Sequence, residues 1–278
     1  MRLQWDDDRT SVDVYLRQSW LSDARSCMEK ARWLIRHEST SSDAAAIGTA
    51  VHAGAAAWCL DQSLDVDAVV DAALAAWDHE LSMPMNWVSY NEPTARHEVI
   101  NLAHAWFSEL RPMVDSPVYV EHGFCFLFDT IQIGTIECRI WMKGTIDLVQ
   151  THSLWDWKTS KNKYSWHAKQ NASIQASVYA AAAVDAGWLE YPVHFNFGVL
   201  LRGKREAQLV HVTRTDAHTA WLKQQVAPLV RQAVLLGDNT TWPINDDHGL
   251  CSEVWCPAWS ACKGALLAPV PLPTRKAS

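Results

Sequence analysis

KGTIDLVQTHSLWDWKTS, residues 143–160, is the stretch on which the reading of this chain turns. Two apolar runs, KGTIDLVQ and SLWDWKT, flank a short polar break, which predicts two strands hinged near Gln150–Ser153. In an extended strand residues i and i+2 point to the same face. Asp156 and Lys158 therefore project side by side, with Trp157 turned the other way. If the runs pair, Asp147 converges with Asp156 at one end of the sheet. Two carboxylates and a lysine so placed have two explanations. One is an exposed cross-strand ion pair, worth under about 1 kcal/mol. The other is metal-assisted phosphodiester hydrolysis: the acids hold one or two Mg²⁺ ions, and the lysine orients or deprotonates water and offsets transition-state charge.

Working outward, VYVEHGFCFLF and IQIGTIECRIW precede this pair as further strands. After it, Lys169–Gly187 reads as a helix closed by a glycine at C′. HFNFGVLL and AQLVHVT are two more strands joined by the turn RGKRE, and a last helix runs from about Asp216 to Leu236. The first third reads as helices: Ser41–Gln62, with Ser42 or Asp43 as N-cap, then Asp65–Leu81 and Thr94–Val114, with a loop over Ser82–Pro93. The predicted class is α/β (α+β), a central mixed sheet flanked by helices. One compact domain is expected, made of a helical region (1–115), a core (116–236) and a C-terminal cysteine segment with a Pro-rich tail that should fray (237–278).

The 278 residues are 49% hydrophobic and 20% charged, as in a soluble globular protein. No apolar run reaches the roughly 18 residues of a membrane helix. MRLQWDDDRT has acids where a signal peptide has a basic and then an apolar stretch, so a cytoplasmic protein is expected. The net charge of −7 argues against a surface that binds nucleic acid all over, yet cations cluster locally at Lys158, Lys161, Lys163 and Lys169, and again at Arg202, Lys204 and Arg205. Such clusters are either solvated faces or a groove for phosphates. Trp157 or Trp166 offers a ring for base stacking or for the core. Seven cysteines divide unevenly: Cys251, Cys256 and Cys262 share one C-terminal stretch, which suggests a metal before it suggests bridges. Cys59, Cys125 and Cys138 fall at apolar positions and read as small hydrophobes.

GTIDLV, DWKTS and QASVY together resemble the D…D-x-K…Q-x-x-x-Y series of the PD-(D/E)XK nuclease superfamily, in its RecB-like branch. The resemblance spans Ser19 to about Lys263 and implies a restriction-endonuclease-like sheet. It implies catalytic roles for Asp147, Asp156, Lys158, Gln175 and Tyr179, the last two sharing one helical face. GTAVH resembles the branch's upstream G-x-x-x-H and offers His52 as a ligand beside Asp147, Asp156 and the Trp157 carbonyl, for Mg²⁺ or Mn²⁺. Glu121, in VYVEHGF, is a further acid that could fall near the site.

The C-terminal trio is spaced C-x4-C-x5-C, and Cys27 in SWLSDARSCMEKARWL resembles the lone N-terminal cysteine of iron–sulfur members. That implies a [4Fe–4S] cluster on Cys27, Cys251, Cys256 and Cys262, with phage-type relatives offering the nearest spacing; zinc is the alternative. The resemblance thus implies an exonuclease acting on single-stranded DNA ends in recombination, repair or replication. Lys161, Lys163, Lys169, Arg202 and Lys204 would contact phosphates. With no Walker A sequence, unwinding falls to a helicase or recombination partner. Two alternatives remain: a catalytically weak DNA-binding or recombination-accessory protein of the same fold, and an inactive zinc-stapled domain.

Overall fold

The computed structural model describes residues 1–37, 40–237, 241–247, 249–253 and 255–263. The Pro-rich end of the tail lies outside them. The chain opens not with a helix but with the antiparallel pair β1 (Arg2–Trp5) and β2 (Ser11–Leu16). SVDVYL alternates strictly, burying Val12, Val14 and Leu16, a period that only a strand turns to one face. Short helices α1 (Gln18–Ser26) and α2 (Met28–Arg36) follow, separated by Cys27 in extended conformation.

A two-residue strand β3 (Ser41–Ser42) leads into α3 (Asp43–Leu60). Ser42 caps α3, its Oγ accepting from Ala45 N at 3.2 Å. Asp43 is fully buried and plays a different part. Its carboxylate accepts from Ala44, Val88, Ser89 and Tyr90 N–H groups. It thereby ties the loop before α5 to the start of α3. After α4 (Val66–Leu81), that loop contains β4 (Met85–Asn86), paired in parallel with β3. The predicted helix Thr94–Val114 is α5 (Glu92–Ala105), continued by a wide turn over Trp106–Leu110 and a tight one over Arg111–Met113.

Four predicted strand runs become three strands. β5 (Pro117–Ile133) takes up IQI, and β6 (Ile136–Gln150) runs unbroken through Lys143–Gly144. Gly144 is a close approach rather than a break, since a Cβ there would lie 2.8 Å from the Phe124 ring. β7 (Ser153–Ser160) follows. The predicted helix Lys169–Gly187 is two, α6 (Trp166–Ala172) and α7 (Ile174–Asp185), because Ser173 stops one and caps the next. Gly187, at φ +69°, ends α7 in the expected left-handed conformation. β8 (Val193–Leu201), β9 (Glu206–Arg214) and α8 (Asp216–Leu236) stand as predicted, and a short α9 (Trp259–Lys263) closes the described chain.

The main sheet has seven strands in the order β1-β2-β6-β7-β8-β9, with β5 paired along β6. β2 and β7 divide the other edge of β6, β2 in parallel with Glu137–Met142 and β7 antiparallel at its end. One face packs on α1, α2, α7 and α8, and the opposite face, through Leu148, Trp155, Trp157 and Leu200, packs on α3, α4 and α5. The chain thus folds as a mixed sheet between two helical layers, as expected. No helix among the described residues is long and apolar enough to cross a membrane.

Candidate active site

β6 and β7 pair at only two positions, Leu148↔Trp155 and Val149↔Leu154. One step further Asp147 and Asp156 would face each other, and there the ladder stops. β7 continues against β8 alone, in parallel from Ser153 through Ser160. The splayed strands leave the Trp157 N–H without a backbone acceptor on β6, and Asp147 Oδ2 accepts it at 2.7 Å. A buried N–H left unpaired is costly, so Asp147 is held by the same defect in the sheet that makes room for chemistry.

Around this gap the expected residues converge. His52 Nδ1, from α3, lies 3.3 Å from Asp147 Oδ2. Lys158 Nζ lies 2.5 Å from Asp156 Oδ2. Gln175 Nε2, from α7, donates to Asp156 Oδ1 at 2.6 Å and reaches Tyr179 Oη at 3.2 Å. Asp156 is only 1% exposed. Burial is the largest influence on its carboxyl and pushes its pKa up; Lys158 opposes this and Asp147 adds to it. Burial works against the Lys158 ammonium, but Asp156 and Asp147 outweigh it and raise its pKa. Burial and then Asp156 push the Tyr179 phenol to about 12, which keeps it a neutral hydrogen-bonding group.

The tightest set of metal-type donors among the described residues is His52, Glu121 and Asp147, whose ligand atoms lie within 4.8 Å of one another. Glu121 thus joins His52 and Asp147, while Asp156, the other expected ligand, stands at the same gap with Lys158 and Gln175. Glu121 lies between the pairs Val120↔Leu148 and His122↔Ile146, across from Asp147. Its φ of +46° is in the left-handed region, unusual for a glutamate in a strand. Such strain gathers at functional sites.

Two observations fit these residues to a divalent cation. Asp156 Oδ2 is buried and, among the described residues, accepts no aligned hydrogen bond, although the Lys158 ammonium is within ion-pair range. Burial of its inner edge, then the Asp147 and Asp156 carboxylates, push Glu121 up to about 7; its side chain is open to water, which softens the first of these. Three carboxylates, Glu121, Asp147 and Asp156, thus share the Lys158 ammonium, and a divalent ion would supply the remaining counter-charge.

Tryptophan backs the site. Trp155 and Trp157 point away from Asp156 and join Trp106 and Trp58 in a run with ring centroids 5.2, 5.6 and 5.8 Å apart. Gly198 of β8 makes room for it: a Cβ there would lie 2.6 Å from the Trp157 ring. Trp157 is thus a core residue and no stacking platform, while Trp166 is half exposed, its indole N–H bonded to His211 O. Of the expected phosphate-contacting cations, Lys161 and Lys204 are exposed, and Lys163 lies 4.0 Å from Glu206. Lys169 is half-buried, with Nζ over the Tyr164 ring and its pKa lowered by burial and by Lys158. Arg202 lies in a groove beside His52 and Lys158.

Cys27 is buried between α1 and α2, and the C-terminal segment docks on that junction. Trp242 N donates to Glu29 Oε2, Glu29 N to Pro243 O, and Asn245 Nδ2 to Ser26 O. Burial, then Cys27, Glu29, Cys251 and Cys256, raise the Cys262 thiol, so all four thiols share one neighbourhood. Cys59 and Cys138 are buried as expected, but Cys125 is exposed, because β5 buries its neighbour Phe126 instead.

The PD-(D/E)XK nuclease superfamily model matches residues 19–263. The chain belongs to the PD-(D/E)XK nuclease superfamily. A search of curated proteins found no match. Among solved structures it is similar to that of a candidate exonuclease from Eubacterium rectale, at 14% identity and a TM-score of 0.52, over 85% of this chain and 86% of that one. At that identity the likeness speaks for the fold, a central mixed sheet flanked by helices.

Proposed function

We propose that the chain is a metal-dependent deoxyribonuclease of the RecB-like branch, an exonuclease acting on single-stranded DNA ends that a helicase or recombination partner opens. The observation that carries this reading is the meeting of His52, Glu121, Asp147, Asp156 and Lys158 at the splay between β6 and β7. His52, Glu121 and Asp147 would hold one Mg²⁺ or Mn²⁺, with Asp156 and the Trp157 carbonyl as further ligands to it or to a second ion. Bound there, the ion supplies polarisation of the phosphate and a lower pKa for the attacking water.

The remaining work falls to the chain. Lys158 stays cationic against its burial, and from the rim of the gap it orients water and offsets charge building on the phosphate oxygens. Gln175 fixes one oxygen of Asp156, and the other, paired with the Lys158 ammonium, is the one that would turn to a metal ion. Tyr179, neutral and bonded to Gln175, holds that amide in its orientation. Digestion of 5′- and 3′-labelled oligonucleotides, single- and double-stranded, with Mg²⁺, Mn²⁺ or EDTA, tests the reading. Metal-dependent shortening of single strands from one end is expected. Binding without cleavage would make the chain an accessory protein of the same fold.

The cluster reading belongs here too. Cys27, Cys251, Cys256 and Cys262 would hold a [4Fe–4S] cluster that clamps the two ends of the fold, a reading supported by their shared neighbourhood and by the docking of the C-terminal segment on Glu29. Anaerobically purified protein should be brown, absorbing near roughly 400 nm. Colourless protein carrying zinc would replace the cluster with a zinc staple.

A further inference from the structure

Arg202 is the first residue after β8, and its N–H donates to Ser160 O at 2.8 Å, which anchors it at the end of β7. Its side chain is unusual. Nε and Nη1 are buried, and among the described residues neither has a hydrogen-bond partner. Guanidinium stays charged at any relevant pH and carries donors in a fixed fork, so two buried donors without acceptors require an explanation. The nearby acids do not provide one. Arg202, Glu98 and Asp43 all act on the Tyr90 hydroxyl, so they share a neighbourhood. Yet Asp43 is occupied by four backbone N–H groups, and Glu98, which accepts from the Gly203 N–H through Oε1, receives nothing from Arg202 Nε or Nη1.

Arg202 also lines an open groove of about 380 Å³ between α3 and the end of β7, into which the guanidinium would turn to find an acceptor, since Nε and Nη1 are closed to solvent where they stand. Ala44, Ala45 and Gly48 line its helical side, so no bulky side chain fills it; His52 and Lys158 line it too. Gly48 brings α3 close to β7, since a Cβ there would sit 3.4 Å from Thr159 Oγ1. The first amides of α3 are already engaged by Ser42 and Asp43, and the Lys158 ammonium by Asp156, so Arg202 is the cation of this groove without a carboxylate on its Nε or Nη1. A fork of donors suits a phosphate's paired oxygens.

We propose that Arg202 is a phosphate clamp: it grips the backbone phosphate neighbouring the scissile one, in the groove that runs from Arg202 to His52 and Lys158. The assignment rests on the nuclease reading for the identity of the strand, and it deepens that reading by fixing where the strand lies next to the reaction. Arg202 would set substrate register and affinity without touching the reacting atoms.

The test uses single-stranded oligonucleotides in which one linkage at a time is replaced by an uncharged methylphosphonate. Binding is measured with Ca²⁺ in place of Mg²⁺, and cleavage with Mg²⁺. In the wild type, neutralising one linkage should weaken binding about tenfold, as expected for a lost charge-assisted contact. Arg202→Ala should lose the same factor on the unmodified strand, chiefly in KM with kcat little changed, and should no longer respond to that methylphosphonate. Arg202→Lys should fall between. Equal sensitivity of the wild type and Arg202→Ala at every linkage overturns the clamp. If Arg202→Ala fails to fold, Arg202→Lys and the wild-type series decide, and a wild type indifferent to every single neutralised linkage overturns it as well. Coupling in the binding data without any metal-dependent cleavage would retain the clamp and remove hydrolysis. Cleavage without coupling would do the reverse.

Discussion

Asp156 sits on a strand held by β8 along its length and backed by four packed tryptophans. Cys256 and Cys262 sit on a turn and a one-turn helix, in a segment that reaches the body of the protein through a few bonds to Ser26 and Glu29. The carboxylate site is positioned by the fold before any ion arrives, which is what efficient catalysis requires of its charges. The thiol region is seated by Trp242, buried in the core, and by those few bonds, and a metal group on its sulfurs, as proposed above, would add the missing constraint. In the first, loss of a side chain should cost chemistry and leave the architecture standing. In the second, loss of a side chain should cost architecture and leave the chemistry standing.

The widest separation between the two should come from Lys158→Ala. Removing it should lower Mg²⁺- or Mn²⁺-dependent degradation of labelled single strands by about 10³-fold, at the upper end for one preorganised transition-state group, while the melting temperature changes by a few degrees at most. Undiminished cleavage would remove the proposed mechanism.

The rigidity of the first region can be attacked from behind. Trp157→Ala leaves every polar group of the site in place but opens a cavity among Trp106, Trp155 and Gly198. A loss of about 3–5 kcal/mol is expected in urea unfolding. A loss below about 1 kcal/mol would mean that the tryptophan run is not what holds β7.

Cys27→Ser should move the second region alone. The absorbance near roughly 400 nm should vanish, and limited proteolysis of the C-terminal segment should quicken about tenfold, equivalent to about 1.4 kcal/mol of local stability. Cleavage of short single strands should survive. An equal loss of cleavage would show that the two regions are not independent.

Glu121→Gly is the subtlest of these changes and pulls two measurements in opposite directions. It relieves a left-handed glutamate and should stabilise the fold by about 1 kcal/mol. It also deletes one of three converging donors and, if they hold the metal as proposed, should weaken Mn²⁺ binding by calorimetry. A drop in both would assign Glu121 an ordinary structural role.

Most of the carboxylate site was legible because each of its pieces is a local pattern. Asp156 and Lys158 share a face by strand periodicity, Gln175 and Tyr179 by helical periodicity, and the apolar runs around them mark the strands. The strict alternation in SVDVYL is the signal that reveals the first hairpin, inside a region otherwise read as helical. Lys143–Gly144 looked like a break because glycine usually is one; only the Phe124 ring packed over it makes it belong to a strand. Glu121 had no distinguishing neighbour in the sequence, and the signal that could have promoted it was its place on the strand next to Asp147.

Sequence by itself determined which groups could do the chemistry and in what order they occur, since side-chain period and residue type are properties of short segments. Tertiary structure alone decided that β6 and β7 diverge just beyond their last pair, that Glu121 comes to lie with His52 and Asp147, and that two buried donors of Arg202 have no acceptor among the described residues. Those outcomes depend on the packing of segments far apart in the chain, where a carboxylate, an amide or a guanidinium finds its partner only after the layers have closed on one another.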